Sequence, residues 1–264
     1  MECREAYKTF KGFTMRVFAA VLVIAMILSS CAGKNEDVLR NSQVYYDTLE
    51  TLEADKKVMV FLMDGLGYSQ YEYALEHGKI PFISSLGEVE RAEGYMPSIS
   101  NVGLGALVTG QAPGKNGVKA RGDMELEVDD IFLKARELQK KAILIEGDVK
   151  LINTSVEPVL NPDINGDGYT DDEVYNSVLL NIHDYDLIFV HFHGIDDASH
   201  TYGPNSAEAL KRTSVIDTYV EEILESWGGA VIVSADHGQH ENNGLGEHGT
   251  DREEDITVPY LYTD

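Results

Sequence analysis

The sequence predicts an α/β fold in which helices sandwich a mainly parallel central sheet. Short apolar runs of strand length recur, and they are too continuous for a half-exposed strand. They suit a sheet covered on both faces. Between them lie stretches with apolar residues at i, i+3 and i+4, the spacing of amphipathic helices. Acidic and histidine residues cluster just past the apolar runs, where open parallel sheets gather their ligands.

The elements follow in chain order. Lys57–Met63 reads as the first strand and ends at Asp64-Gly65. Helical spacing covers Gln70–Glu76, Asn101–Val108 (entered from Ser100) and Ile131–Gln139. A second strand is expected over Ala142–Ile145 and a helix over Glu173–Ile182. Leu187–His191 is the third apolar run. Ser206–Ser226 is the longest helical pattern, with Leu210, Val215, Ile216, Tyr219, Val220 and Ile223 on its apolar steps. Ala230–Ser234 closes the set and leads into Asp236-His237. Strands alternating with helices imply βαβ units. No internal repeat appears, and 264 residues suit one large domain, placed at 46–264.

The first thirty residues read differently. Lys8, Lys11 and Arg16 precede an apolar run from Val17 to Leu28, followed by Ser29, Ser30 and Cys31. This is the layout of a secretory signal peptide, and the run is short for a membrane span. Leu28-Ser29-Ser30-Cys31 resembles the bacterial lipobox, which implies cleavage before Cys31 and a lipid on its thiol. Met15-Arg16 and the following run form a sufficient signal by themselves. Residues 1–30 are thus expected to be a lipoprotein signal peptide and 31–45 a tether. The protein is expected to be exported and lipid-anchored outside the bacterial cytoplasmic membrane or in the cell envelope, touching the membrane through that anchor alone. Cys3 and Cys31 are the only cysteines, so the domain carries no disulfide and offers no thiolate to a metal.

The net charge is −24, and the first thirty residues are slightly basic, so the remainder is more acidic still. Such a surface repels nucleic acid polymers. A small anionic substrate can bind it if metal cations dominate the local field.

Five segments carry the candidate chemistry: Asp64-Gly65, Pro97-Ser98-Ile99-Ser100, Asp196 to His200, Asp236-His237-Gly238 and Glu247-His248-Gly249. Carboxylate and imidazole donors together suit zinc, or failing that manganese. Asp64, Ser100, Asp196, His200, Asp236, His237 and His248 are too many for one tetrahedral site and fit two metals sharing a nucleophile. Asp196 and His200, four apart, share one face of a helical turn. Asp236 and His237 are adjacent and require a turn. Ser100 starts a helix, where unpaired N–H groups favour an anion. Taken alone, that position reads as an ordinary N-cap serine. His191 and His193 read as supporting or structural residues.

The order of these elements resembles the alkaline phosphatase superfamily, closest to its nucleotide pyrophosphatase/phosphodiesterase-like branch. Asp64 matches the acid at the first strand end. Pro97-Ser-Ile-Ser100, Leu107-Val-Thr-Gly110 and Pro113-Gly-Lys-Asn-Gly117-Val118 match the nucleophile region. Asp196, His200 and Gly203-Pro204 match the next element, followed by Asp236-His237-Gly238 and by His248 with Val258-Pro259 behind it. The resemblance implies an alkaline phosphatase-like fold and a phosphatase or phosphodiesterase acting on a small phosphorylated substrate. It implies one metal on Asp64, Ser100, Asp236 and His237 and another on Asp196, His200 and His248. It also implies a covalent phosphoserine on Ser100. Phosphodiesterase relatives commonly carry Thr in a Thr-Phe-Pro-Asn context, where this chain has Ser100-Asn101-Val102-Gly103. They commonly carry Asn where this chain has Arg121. Arg121 and Asn116 are therefore candidate substrate-binding residues, since arginine binds phosphate bidentately. Monoester, diester and phosphonate substrates all stay open. Ser100 with Asp64-Gly65-Leu66-Gly67 also resembles the cofactor-independent phosphoglycerate mutase branch, but the chain is too short for that branch's inserted domain. The lack of a Cys-x-Pro-x-Arg element argues against a sulfatase. A non-catalytic binding protein is the remaining alternative, because a fold alone does not establish activity.

One further motif lies outside this set. Asp163, Asn165, Asp167, Tyr169 and Asp171 fall at positions 1, 3, 5, 7 and 9 of an EF-hand-like loop with Gly168 at position 6. Position 12 is Val174, and Glu173 falls one residue early. The alternatives are a structural calcium and an Asp/Asn/Gly-rich turn capping the next helix.

Overall fold

The computed structural model describes residues 38–264. The expected signal peptide and Cys31 lie outside them. From Leu39 the chain is one compact unit. Its elements begin with α1 (Gln43–Glu53), β1 (Val58–Met63), α2 (Tyr68–Glu76), α3 (Pro81–Ser85) and β2 (Glu90–Glu93). Next come α4 (Ser100–Thr109), α5 (Pro113–Asn116), α6 (Ile131–Glu137), β3 (Ala142–Glu146) and β4 (Val159–Leu160). Then follow α7 (Asp171–Asn181), β5 (Leu187–Phe192), α8 (Gly194–Tyr202), α9 (Ala207–Leu224) and β6 (Ala230–Ser234). The hairpin β7 (His240–Asn242) and β8 (Leu245–Glu247), then α10 (Glu253–Ile256) and β9 (Thr257–Thr263), complete the order.

The main sheet has seven strands in the order β2-β9-β6-β1-β5-β3-β4. β6, β1, β5, β3 and β4 are parallel, while at one edge β9 pairs antiparallel with β6 and β2 antiparallel with β9. The fold is thus a mostly parallel sheet with flanking helices, as the apolar runs imply. β1 (VMVFLM), β5 (LIFVHF) and β6 (AVIVS) are buried along their whole length. Each large apolar side chain withdrawn from water there contributes about 1.5–3 kcal/mol. In α9, Leu210, Ile216, Val220 and Ile223 bury the apolar stripe, and the Ser206 side chain caps the start by accepting from Ala209 N. α6 starts the same way, with Asp130 accepting from Leu133 N.

β1 lies between β5 and β6, so the chain winds out to both sides of it. That reversal leaves a crevice at the carboxyl ends of these strands, the place where such sheets bind ligands. The edge strands β2 and β9 escape the sequence reading because β2 (ERAE) is short and polar and β9 contains a proline.

The folded body begins inside the segment assigned to a tether. Asn41 is fully buried, and its Nδ2 donates to Ala235 O and Asp236 O at 3.4 and 3.3 Å. Val44, Tyr45 and Leu52 of α1 join the core. Residues 39–45 are therefore structural, because an amide and an apolar face only 11 residues long do not announce themselves against a polar background. Among the described residues no helix is long and apolar enough to cross a membrane.

Candidate active site

The seven donor residues are carried to one edge of the sheet by five separate local structures. Asp64 follows β1 at a left-handed Gly65 (φ +73°), which turns the chain away from the strand. Asp196 and His200 lie one turn apart on α8. Asp236 and His237 follow β6 in an irregular turn, and His248 follows the hairpin. Ser100 is the first residue of α4, whose cap residue is Ile99, so its hydroxyl caps nothing. The hydroxyl instead lies 3.2 Å from His237 Nε2 and 3.5 Å from Asp64 Oδ1. The ordinary N-cap reading of Ser100 is thereby set aside. Gly103 makes this approach possible: a Cβ there would meet Asp236 O at 2.4 Å, so only glycine lets α4 pack against the Asp236 turn.

Two convergent groups result. Asp64, Asp236 and His237 form one, and Asp196, His200 and His248 the other. His237 Nε2 is 3.3 Å from Asp64 Oδ1 and 3.6 Å from Asp236 Oδ2. His200 Nε2 is 3.2 Å from Asp196 Oδ2. His248 Nε2 is 4.0 Å from Asp196 Oδ1 and 3.1 Å from His200 Nε2. The groups adjoin through the stacked rings of His237 and His248, whose centroids are 4.0 Å apart. Asp64, Ser100, Asp196 and His200 line a cleft of about 610 Å³ that also reaches Asp148, Asp163 and Tyr169. No lysine or arginine lines it among the described residues.

The three imidazoles share one arrangement. His200, His237 and His248 each donate Nδ1–H to a backbone carbonyl, those of Gly246, Gly238 and Ser98, at 2.8, 3.0 and 2.9 Å. Each therefore turns Nε2 toward the site, which is how metal-binding histidines are held. The Ser98 hydroxyl donates to Thr250 O and accepts from Gly249 N, fixing the loop on either side of His248. Asp255 holds the same loop through Thr250 N and Oγ1 and accepts from His240 Nδ1 at 2.7 Å.

A family model described as type I phosphodiesterase / nucleotide pyrophosphatase matches residues 58–255. The chain belongs to this family. It is 24% identical over 187 residues to human GPI ethanolamine phosphate transferase 2, catalytic subunit, which covers 64% of this chain and 19% of that protein. The chain spans less than a third of the length of each curated relative it matches. Among solved structures it resembles phosphonoacetate hydrolase from Sinorhizobium meliloti 1021, with a TM-score of 0.56 and 16% identity, covering 73% of this chain and 60% of that one. It also resembles murine ectonucleotide pyrophosphatase / phosphodiesterase 5, with a TM-score of 0.53 and 17% identity, covering 70% and 58%. These likenesses are of an alkaline phosphatase-like α/β fold.

In this phosphodiesterase-family chain the buried charges strain against one another. Burial works to raise the Asp64 carboxyl, but the facing imidazoles of His191, His193 and His237 prevail and hold it well below the usual range. Burial and the neighbouring Asp64 charge push Asp236 up to about 7. Burial alone would lower His237, yet Asp236 and Asp64 raise it to about 10. Asp196 lifts His200 to about 8. His248 is lowered, by burial first and by the positive His237 next. Asp236 Oδ2 is buried without a hydrogen-bond partner. Facing Nε2 atoms 3.1 Å apart, an orphaned carboxylate oxygen and a surplus of acid are features that a bound cation relieves. The donor set therefore fits two divalent metals.

Other expected residues fall outside this arrangement. Asn116 is fully buried, and its amide is spent on its own loop, donating to Gln111 O and accepting from Val118 N. It is not free to bind substrate. Arg121 is exposed and does not line the cleft. The loop from Asp163 closes on itself: Asp163 accepts from Gly166 N and Gly168 N, Asn165 from Asp167 N, and Asp167 from Tyr169 N. Glu173 accepts from Ile164 N. Asp171 turns away into the core and accepts from His193 N and Gly194 N. Position 12, Val174, is buried in the core. The loop is an Asx-rich turn that bonds its own amides and puts no side-chain cap on α7, and Asp171 is withdrawn as a calcium ligand because the backbone after β5 claims its carboxylate.

His193 contributes more than the sequence suggests. Its Nδ1 lies 2.9 Å from Asp64 Oδ2, and with His191 and Asp64 it forms a third convergent group. Gln239 donates to Asp196 Oδ1 at 2.6 Å. A lone Gln after Asp-His-Gly carries no signal that would have marked it.

Proposed function

We propose that the chain is a metal-dependent phosphodiesterase that forms a covalent phosphoserine on Ser100. The observation that carries this reading is the Ser100 hydroxyl at a helix N-terminus, aimed between Asp64 and His237 at the mouth of the cleft. Asp64, Ser100, Asp236 and His237 would hold one metal and Asp196, His200 and His248 the other, with zinc or manganese suited to these donors. Such cations, when bound, lower the pKa of a hydroxyl and neutralise charge gathering on phosphorus oxygens. Ser100 Oγ attacks phosphorus as the bond to the leaving alcohol breaks opposite it. The hydroxyl proton is lost to solvent, and the leaving alkoxide takes one up. Water then adds to phosphorus, the Oγ–P bond breaks, and Ser100 regains its proton. The free N–H groups of the first turn of α4 would be available to the phosphoryl oxygens.

A diester is favoured over a monoester because the cleft lacks a lysine or arginine to balance a second phosphate charge, and Arg121 stands outside it. The test compares bis(p-nitrophenyl) phosphate, p-nitrophenyl phosphate and p-nitrophenyl phenylphosphonate in zinc and in manganese. The diester is expected to be turned over fastest, and a dominant monoester rate would refute the assignment. The curated relatives named as transferases favour a second reading, in which an alcohol replaces water in the last step. Product analysis with added ethanolamine separates the two.

We also propose, from residues 15–31, that the enzyme works outside the cytoplasm on a lipid anchor at Cys31. Cys31→Ala is expected to move the full chain from the membrane fraction to the soluble one. An unchanged distribution would exclude the anchor.

A further inference from the structure

Behind Asp64 the sheet carries a file of buried polar groups that the hydrolytic reading leaves unused. β3 (AILIE) and β5 (LIFVHF) are apolar except for Glu146 and His191, and both of these are fully buried. Neither oxygen of Glu146 and neither ring nitrogen of His191 makes a well-aligned hydrogen bond. They face one another instead, with His191 Nδ1 3.6 Å from Glu146 Oε1. On its other side His191 Nε2 lies 3.3 Å from Asp64 Oδ2. Apolar residues of similar volume would fill these sites at no loss of stability, and often with a gain. A buried carboxylate and imidazole with only each other and Asp64 to face are therefore a cost that packing does not explain.

The two oxygens of Asp64 divide their surroundings. Oδ1 faces Ser100 and His237, while Oδ2 faces His191 and His193. We propose that His191, held from behind by Glu146, is a positioning residue that fixes the Asp64 carboxylate so that Oδ1 is presented to the metal-binding cluster. The inference rests on the two-metal reading above. It extends the familiar ligand–support pairing of metal sites, one link deeper than usual. β1, β5 and β3 are adjacent in the sheet, so the file Asp64–His191–Glu146 crosses three neighbouring strand ends.

The experiment uses His191→Phe, Glu146→Leu and the volume-neutral Glu146→Gln in the full chain. Apo melting temperature, zinc affinity and stoichiometry by chelator competition, and kcat and KM on bis(p-nitrophenyl) phosphate are measured for each. His191→Phe leaves Glu146 buried without a partner and is expected to melt below the wild-type temperature, whereas Glu146→Leu leaves His191 beside Asp64 and is expected to lose less. All three are expected to lose about 10–100-fold in zinc affinity at one of two sites. Their kcat is expected to fall at limiting zinc and recover in excess zinc, with KM unchanged. Wild-type affinity in the variants would overturn the proposal and leave His191 as core filling. A third zinc equivalent that disappears in His191→Phe would also overturn it, by making His191 a ligand. If His191→Phe fails to fold, Glu146→Gln decides by the same criterion. A wild-type chain that binds no zinc and cleaves no diester would instead refute the two-metal reading itself, before any variant is measured.

Discussion

Ser100→Ala is expected to lower turnover of a phosphodiester on the order of 10⁴-fold or more, as removal of a covalent nucleophile does. The fold should persist. Ser100 caps no helix, and its hydroxyl contacts only His237 and Asp64, so alanine removes no structural hydrogen bond from α4. Zinc affinity should fall little, because Asp64, Asp236 and His237 remain as an intact group. The loss should therefore appear in kcat with metal content unchanged. Trapping of a phosphoserine in rapidly quenched wild-type enzyme, and its absence in the variant, provides a second reading of the same step. Retained turnover in a correctly folded Ser100→Ala protein would rule out the covalent route.

Removing the metals is the second large effect. Chelation is expected to abolish activity, since the charge stabilisation they supply is worth several kcal/mol and each ~1.4 kcal/mol is tenfold in rate. It should also expose the buried charges. His191 and His237, whose ordinary value is 6.5, are raised to about 10 in the folded protein, so their favourable contribution is complete below pH 6.5 and drains away toward pH 10. Asp236, raised to about 7 from an ordinary 3.8, keeps a proton that the unfolded chain has already lost, so its contribution drains away between those values. His248, lowered, works in the opposite sense but only near and below pH 6.5. Asp64, also lowered, matters only below its ordinary 3.8. Above pH 6.5 the two histidines dominate, and the metal-free protein should melt at progressively lower temperature, by about 2–4 °C for each kcal/mol lost. Zinc at 100 times its dissociation constant restores about 2.7 kcal/mol. It should also flatten the curve, because the cation takes over the role of the protons. Parallel melting curves with and without zinc would show that these residues do not bind it.

Much of the fold was legible because its signals are local. The stretches Val58–Met63, Leu187–Val190 and Ala230–Val233 are apolar at every position, and only a strand covered on both faces tolerates that. The antiparallel edge was not legible. β2 is four residues of mostly charged sequence, and β9 is recruited by pairing with β6 and not by its own pattern. Of the site, the donor types and their placement after strand ends could be read, because an acid or histidine beside a strand terminus is conspicuous in one dimension. Asn116 and Arg121 could not be judged, since a buried amide that ties its own loop and an exposed arginine look alike in a polar segment.

The sequence by itself determined which strands are buried, which side chains have oxygen and imidazole donors to give, and that these follow strand ends. Tertiary structure alone decided that Asn41 braces the Asp236 turn, that Gly103 admits α4 to the cluster, and that Glu146 and His191 line up behind Asp64. Strand burial is a property of consecutive residues, and so it is written in their order. The partner of a single polar atom is set by strands that meet only after folding, across separations that no local pattern spans.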